Sequence, residues 1–255
     1  MTEIYITNNH TMLVAGYGNP DMHLHAAAHI LISLDGKFTS VIDGKIHKCK
    51  GIMIPGGVSH TVDSQENTIL VFMLDQSQAV GSHIQTVIEI PDEIVSTILS
   101  EYGTLSRFEH KETKYLDFYK STMCKLGFAD IQQVKIDERI QKALQYIDQN
   151  IAHEITALNV SSAIFLSESW FSHLFREQMG ISFAGYVVMR RIYITYFGVL
   201  NGKSITESAI DAGFSSSAHF AAANKKMFGI TARDLSCNYK LYIVTAKEPK
   251  NTTEI

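Results

Sequence analysis

Two segments near the C-terminus read alike: SSAIFLSESWFSHLFREQMG at 161–180 and ESAIDAGFSSSAHFAAANKKMFG at 207–229. Each spells a short helix, a tight turn and a second helix with an apolar inner face, the pattern of a helix-turn-helix unit. In the first, Ser161 is small where two helices must cross closely, and Ile164, Leu166, Phe171, Leu174 and Phe175 fall on one side. Ser167 is placed to cap the second helix, with Glu168 in the first turn where the helix dipole favours an acid. In the second copy Ala209 is the crossing residue, Gly213 permits the turn, and Phe214, Phe220 and Phe228 supply the core. The run FAGYVVMRRIYITYFGVL (183–200) joins them as a strut, rising about 1.5 Å per residue if helical. Two such units on one stiff spacer predict a pair of probes for neighbouring major-groove faces of DNA, which lie roughly 34 Å apart.

This pattern leaves Ser169, Trp170, Ser172, His173 and Arg176 outward on the first unit, and Ser216, Ser217, Ala221, Lys225 and Lys226 on the second. For Arg176, Lys225 and Arg191 of the strut, charge and placement both favour phosphate. For single positions such as Ser217, a solvated helix face is an equal reading, and Trp170, the one Trp, divides evenly between packing and contact.

Upstream the text changes. From about 3 to 75 it consists of short β-rich runs, MLVAG, AHILISL, KFTSVI, GIMIP and TILVFML, punctuated by Asp35-Gly36, Asp43-Gly44 and Pro55-Gly56-Gly57. Asp-Gly pairs suit primed hairpin turns, and many short strands at such spacing predict a small sandwich or barrel. After Pro91 the period becomes helical: Ile94, Ile98 and Leu99, then Tyr115, Leu116, Tyr119 and Met123. Helices over 91–101 and 112–126 would either make a dimer contact or pack on their own barrel. Residues 127–136 look like a passage, and Ile136, Ile140, Ala143, Leu144, Ile147 and Ile151 then trace one face of an amphipathic helix.

The expected architecture is therefore two-domain and mixed: an all-β barrel over 1–80, linker and dimerisation helices over 81–135, an all-α domain with two helix-turn-helix motifs over 136–240, and a frayed, disordered tail over 241–255. Residues 1–136 carry 10 Lys/Arg against 15 Asp/Glu, a net of −5, while residues 137–240 carry 10 against 9. The second half is thus less acidic without being strongly basic, and the whole-chain charge of −4 argues against an unspecific nucleic-acid glue. Three scattered cysteines fit reduced thiols in a cytoplasm, and the N-terminus lacks the layout of a secretory signal. No apolar run approaches the roughly 20 residues of a membrane span. No phosphate loop, dinucleotide fingerprint or nucleophile elbow is present.

The strings LSESWFSHLFREQMGISFAGYVVMRRI (166–192), SITESAIDAGFSSSAHF (204–220) and KKMFGIT (225–231) resemble the AraC/XylS family of bacterial transcription regulators. That resemblance covers about 100 residues and implies a seven-helix DNA-binding domain. Its two recognition helices would present Ser169, Ser172, His173 and Arg176, then Ser216, Ser217, Ala221 and Lys225, with Arg191 on backbone phosphate. Four departures stand out. Ala222 replaces a basic residue, Asn224 a core Phe, Gly198 a larger apolar residue of the strut, and Ala232 a Pro. A buried amide at 224 needs a partner, and Gly198 costs about 1 kcal/mol of helix propensity. The second unit is accordingly expected to bind DNA more weakly or to read it mainly by fit.

His23, His25 and His29 occupy odd positions of PDMHLHAAAHILISLDG, so an extended strand would turn all three to one face, and His60 follows the Pro55-Gly56-Gly57 corner. The arrangement resembles the two signatures of the cupin barrel, a common N-terminal partner of AraC-type domains. Four imidazoles would suit a transition metal such as Zn, Cu, Ni or Fe; the other readings are a small-molecule effector pocket and mutually bonded structural histidines. A pH response near neutrality follows if they titrate at their ordinary value of about 6.5.

Together these features predict a non-enzymatic, sequence-specific DNA-binding regulator needing no cofactor. Its partners would be double-stranded DNA, a small-molecule or metal effector, a second copy as homodimer and RNA polymerase. A cupin metal-dependent oxygenase or isomerase with a helical accessory domain is the alternative, although four protein ligands leave little room for substrate and no acid or base stands nearby. A third class is an interaction module whose helix-turn-helix units no longer bind DNA.

Overall fold

In a computed structural model the chain is described over residues 2–7, 10–16, 22–23, 27–74, 79–129, 136–179, 181–228 and 239–244. The N-terminal strands are β1 (Thr2–Ile6), β2 (His10–Ala15), β3 (Ala28–Ser33), β4 (Phe38–Ile42), β5 (Lys45–Cys49), β6 (Gly51–Ile54), β7 (His60–Asp63), β8 (Ile69–Leu74) and β9 (Ile88–Glu89). A tenth, β10 (Tyr239–Ile243), comes from the far end of the chain. They form a seven-stranded sheet in the order β10-β1-β2-β8-β3-β6-β9 and a three-stranded sheet in the order β5-β4-β7.

The large sheet is buried on both faces, which is why ILVFML is apolar throughout. In β8, Ile69, Val71 and Met73 enter one apolar cluster, with Leu31, Ile52, Phe38 and Val62, while Leu70, Phe72 and Leu74 enter another. This period of two sends alternate side chains to opposite faces. The first cluster fills the space between the sheets. The second lies beneath α2 (Asp92–Leu105) and α3 (Glu112–Lys125), whose Val95, Ile98, Tyr102, Leu105, Tyr115, Phe118 and Met123 cover the sheet. The short α1 (Ala79–His83) precedes them. The apolar stripe read over 91–126 is thus satisfied within its own domain.

Two turn readings divide. Asp43 and Gly44 both have positive φ, +46° and +77°, as a primed turn requires, and they join β4 to β5. Asp35-Gly36, expected as a hairpin, instead marks a corner: β3 pairs with β6 and β8, whereas β4 lies in the other sheet.

The C-terminal part is helical: α4 (Glu138–Asn150), α5 (Ala157–Ala163), α6 (Glu168–Met179), α7 (Phe183–Leu200), α8 (Ile205–Asp211) and α9 (Ser217–Phe228). Each begins on a residue whose side-chain oxygen accepts a backbone N–H of the first turn: Asp137, Thr156, Ser167, Ser182, Ser204 and Ser216. The strut α7 serves two cores. Its Phe183, Tyr186 and Val187 pack with α4–α6, and its Ile192 and Tyr196 pack with Ala209, Ala212, Phe214 and Phe220 of the second unit. That second core is continuous with the apolar cluster inside the barrel.

The tail departs from expectation. Residues 241–243, read as the start of a disordered segment, belong to β10, which pairs in parallel with β1. Apolar Leu241, Tyr242, Ile243 and Val244 precede the polar stretch, and pairing with a sheet edge gives their backbone groups partners. Residues 245–255 lie outside the described ones.

Candidate nucleic-acid interface and sensor site

Both helix-turn-helix units form as their spacing predicts. Ser161 and Ala209 are buried at the two crossings. Each first helix closes with the same pattern, Leu166 N–H donating to Ser161 O and Phe214 N–H to Ala209 O, both at 2.9 Å. The residue between takes positive φ, Phe165 at +59° and Gly213 at +90°, the left-handed helix stop. On α6, Ser169, Trp170, Ser172, His173 and Arg176 are exposed, and Trp170 shows 48% of its surface. On α9, Ala221, Lys225 and Lys226 are exposed, while Ser216 and Ser217 are half-buried. Ser216 Oγ already accepts from His219 N–H at 3.1 Å as the helix cap. Arg176, Lys225 and Lys226 lie in the last turns of their helices.

Arg191 is half-buried, and its guanidinium is bonded to the backbone. Its Nε donates to Ile151 O at 3.1 Å and its Nη2 to His153 O at 2.7 Å, tying the strut to the α4–α5 connection. Burial lowers its pKa from the ordinary arginine value. Arg191 thus brackets the strut to that connection, a role apart from the phosphate contact expected of it. The sequence showed a cation on the strut but not the backbone carbonyls awaiting it.

Two of the four departures, Asn224 and Gly198, have packing reasons. Asn224 is fully buried, and Tyr196 Oη donates to its Oδ1 at 2.6 Å, so the amide has the partner it needs. At Gly198 a Cβ would lie 2.7 Å from Ser208 Oγ and 2.9 Å from Ser208 Cβ. Glycine there lets α7 and α8 touch, and the loss of helix propensity is offset by close packing. Ala232 lies outside the described residues.

The sensor histidines meet by a different route from the one expected. They do not share a strand: β3 begins at Ala28, and His23 reaches the site as an isolated bridge to β7, exchanging backbone hydrogen bonds of 3.0 Å with His60 in both directions. Ring centroids lie 4.5 Å apart for His23–His60 and 4.9 Å for His29–His60. His25 lies outside the described residues. The His60 Nδ1 sits 2.8 Å from Val58 O. Burial pulls the His60 pKa down to about 4, against the Val58 bond and with the help of neighbouring His23, so this ring is neutral near pH 7 rather than poised there. Among the described residues no three His, Cys, Asp or Glu side chains form a group that could hold a metal ion.

His29 pairs across the sheet with Met73, and Met73 pairs with Thr11, so the three share the face that looks into the barrel. Thr11 Oγ1 in turn donates to Tyr193 Oη of α7 at 3.3 Å. Sequence alone could not reveal this contact, because its partners are 182 residues apart.

Residues 160–236 match a family model described as a helix-turn-helix domain. Over 226 residues, 82% of this chain and 89% of the relative, it is 24% identical to the probable transcriptional regulator LumQ of Photobacterium leiognathi. Over 96 residues, 37% of this chain, it is 29% identical to the regulatory protein PocR of Salmonella typhimurium, spanning 32% of that protein. Among solved structures, ToxT from Vibrio cholerae O395 superposes with a TM-score of 0.58 at 10% identity, covering 90% of this chain and 97% of ToxT. Unsaturated-fatty-acid-bound wild-type ToxT gives 0.55 at 11% identity, covering 90% and 95%.

Proposed function

We propose a regulatory cycle for this chain, which belongs to the AraC/XylS family of transcription regulators: α6 and α9 read two neighbouring major-groove segments, and a small molecule at the histidine end of the barrel adjusts how they are held. The observation that carries this reading is the continuity of the second unit's core with the barrel interior, together with the Thr11–Tyr193 bond. Whatever occupies the His23–His29–His60 end acts through the Met73–Thr11 row on α7, and α7 sets the relation of the two reading helices. On DNA, Arg176, Lys225 and Lys226 take phosphates, while Ser169, Trp170, Ser172, His173, Ser217 and Ala221 face the groove.

The effector class is inferred from the side chains at that end of the barrel. A largely apolar interior with imidazoles at one end suits a molecule with an apolar body and one hydrogen-bonding head. A fatty acid, as bound in the solved ToxT neighbour, is one such molecule. A transition metal is the weaker choice, since the described rings pack on one another. The relatives are a probable transcriptional regulator and a regulatory protein by name, in keeping with a binding rather than a catalytic role. Among the described residues no helix is long and apolar enough to cross a membrane. We take the protein to work in the cytoplasm as a homodimer that engages RNA polymerase.

Selection from a random DNA pool, with and without medium-chain and long-chain fatty acids, tests the reading. Two short half-motifs about one helical turn apart are expected, with recovery changed by ligand. Absence of enrichment in either condition removes the DNA reading; enrichment indifferent to every fatty acid removes the proposed effector class.

A further inference from the structure

After α9 the chain crosses back and adds β10 to the outer edge of the sensor sheet. The parallel pairing covers five residue pairs, from Thr2 opposite Tyr239 to Ile6 opposite Ile243, and Val244 N–H then donates to Ile6 O at 2.9 Å. Tyr242 stacks on Tyr5 with centroids 4.7 Å apart, and Tyr5 stacks on Tyr115 of α3 at the same separation. Lys111 Nζ lies 5.9 Å above the Tyr242 ring and pairs with Glu3, whose other oxygen accepts from Tyr5 Oη at 2.8 Å. Val244 is buried in the layer beneath α2 and α3. The strand is thus bound by a built seat rather than laid on the edge by backbone pairing alone.

This seat changes what the reader can do. The ten residues between Phe228 and Tyr239 span at most about 40 Å when fully extended. A seated β10 therefore bounds how far α9 can move from β1, and in the docked arrangement the second unit's core and Tyr193 meet the barrel. With β10 released, sensor and reader stay joined through the stretch of sequence between α3 and α4. Charge sets the direction of the effect. The sensor half has a net of −5 and residues 137–240 a net of +1. A sensor held against the reader brings acidic charge toward DNA phosphates, and this repulsion acts over a screening length of about 10 Å at 0.1 M salt.

We propose that β10 is an autoinhibitory strap: seated on β1, it keeps the second helix-turn-helix unit docked on the acidic sensor, and its release lets the reader grip DNA more tightly. This rests on the DNA-binding reading above.

Hydrogen exchange and binding to a random-sequence duplex pool, compared among the full chain, Tyr242→Ala and a chain ending at Asn238, test it. Amides of Thr2–Ile6 and those around Thr11 and Tyr193 should exchange roughly tenfold faster once the strap is weakened or removed. DNA affinity should rise severalfold at low salt, with the gain shrinking as salt rises. The shortened chain loses Lys240, Lys247 and Lys250 against Glu248 and Glu254, a change that alone would weaken DNA binding. A peptide of residues 239–244 supplied at about millimolar concentration, comparable to that enforced by a short tether, should restore protection around Tyr193 and lower affinity again. Faster exchange confined to Thr2–Ile6, or affinity unchanged or weaker in both variants, overturns the strap. If the shortened chain fails to fold, Tyr242→Ala decides alone. If no form binds DNA, the DNA reading fails, and exchange around Tyr193 still decides whether β10 docks the reader.

Discussion

Phe165 and Gly213 hold the same place in their two units, and the backbone treats them alike. Both close a first helix in the left-handed region, where a side chain costs about 1–2 kcal/mol and glycine costs almost nothing. Phe165 is 95% exposed, so no burial offsets that strain. Phe165→Gly should therefore raise stability by about 1 kcal/mol, seen as a few degrees in thermal unfolding; a lower melting temperature would mean that the ring has an unrecognised partner in the folded chain. Gly213 has a second reason to be glycine. A Cβ there would lie 3.0 Å from Arg191 Nε and Cζ and from Ile151 O. Gly213→Ala adds that overlap to the backbone strain and should cost about 2 kcal/mol or more; a loss under about 0.5 kcal/mol would show that the bracket yields freely.

At the level of elements, the six helices seen among the described residues of the reader are set by local signals, an oxygen-bearing cap at each start and apolar spacing within. Their roles toward DNA separate the cations. Arg176, exposed on α6, and Arg191, bonded to two carbonyls from α7, carry the same charge with opposite duties. Arg176→Ala should weaken binding to all sequences and reduce the slope of log affinity against log salt by about 1, without altering stability. Arg191→Ala should do the reverse, lowering the unfolding free energy by about 1 kcal/mol because the Ile151 and His153 carbonyls, half-buried and exposed, lose a charged donor, while the salt slope stays unchanged. Salt titration beside denaturant unfolding of both variants checks the pair. Equal salt slopes for Arg176→Ala and the parent chain would remove Arg176 from the interface.

For the whole molecule, the junction of sheet and helices responds to acid. His10 is buried beneath α3, its Nε2 2.8 Å from Tyr115 Oη and its ring stacked on Tyr119 at 3.7 Å. Burial pulls its pKa down to about 3. Between about pH 6.5 and 3 the unfolded chain binds a proton that folded His10 refuses, so stability falls as pH falls through this window and is unaffected by His10 above it. His10→Gln should flatten the decline in melting temperature between pH 6.5 and 4, although it weakens the fold at neutral pH. An unchanged decline would place the acid sensitivity elsewhere.

Both helix-turn-helix units, the Ser167 cap, the crossing residues and the division into a β sensor and an α reader were legible in the sequence, because each follows from contacts within a few residues and from periods of two and 3.6; Ser216, read there as facing outward, is the cap of α9. The convergence of His23, His29 and His60 was legible as a meeting of side chains but not in its geometry, since the route of His23 depends on a bridge to β7. Only the tertiary structure decided that Arg191 turns inward, that Asn224 has Tyr196 and Gly198 has Ser208, and that the helices over 91–126 cover their own sheet. The same holds for β10, whose partner strand begins at the other end of the chain. Each of these depends on groups far apart in sequence, and local pattern carries no information about which distant surface will be there to meet them.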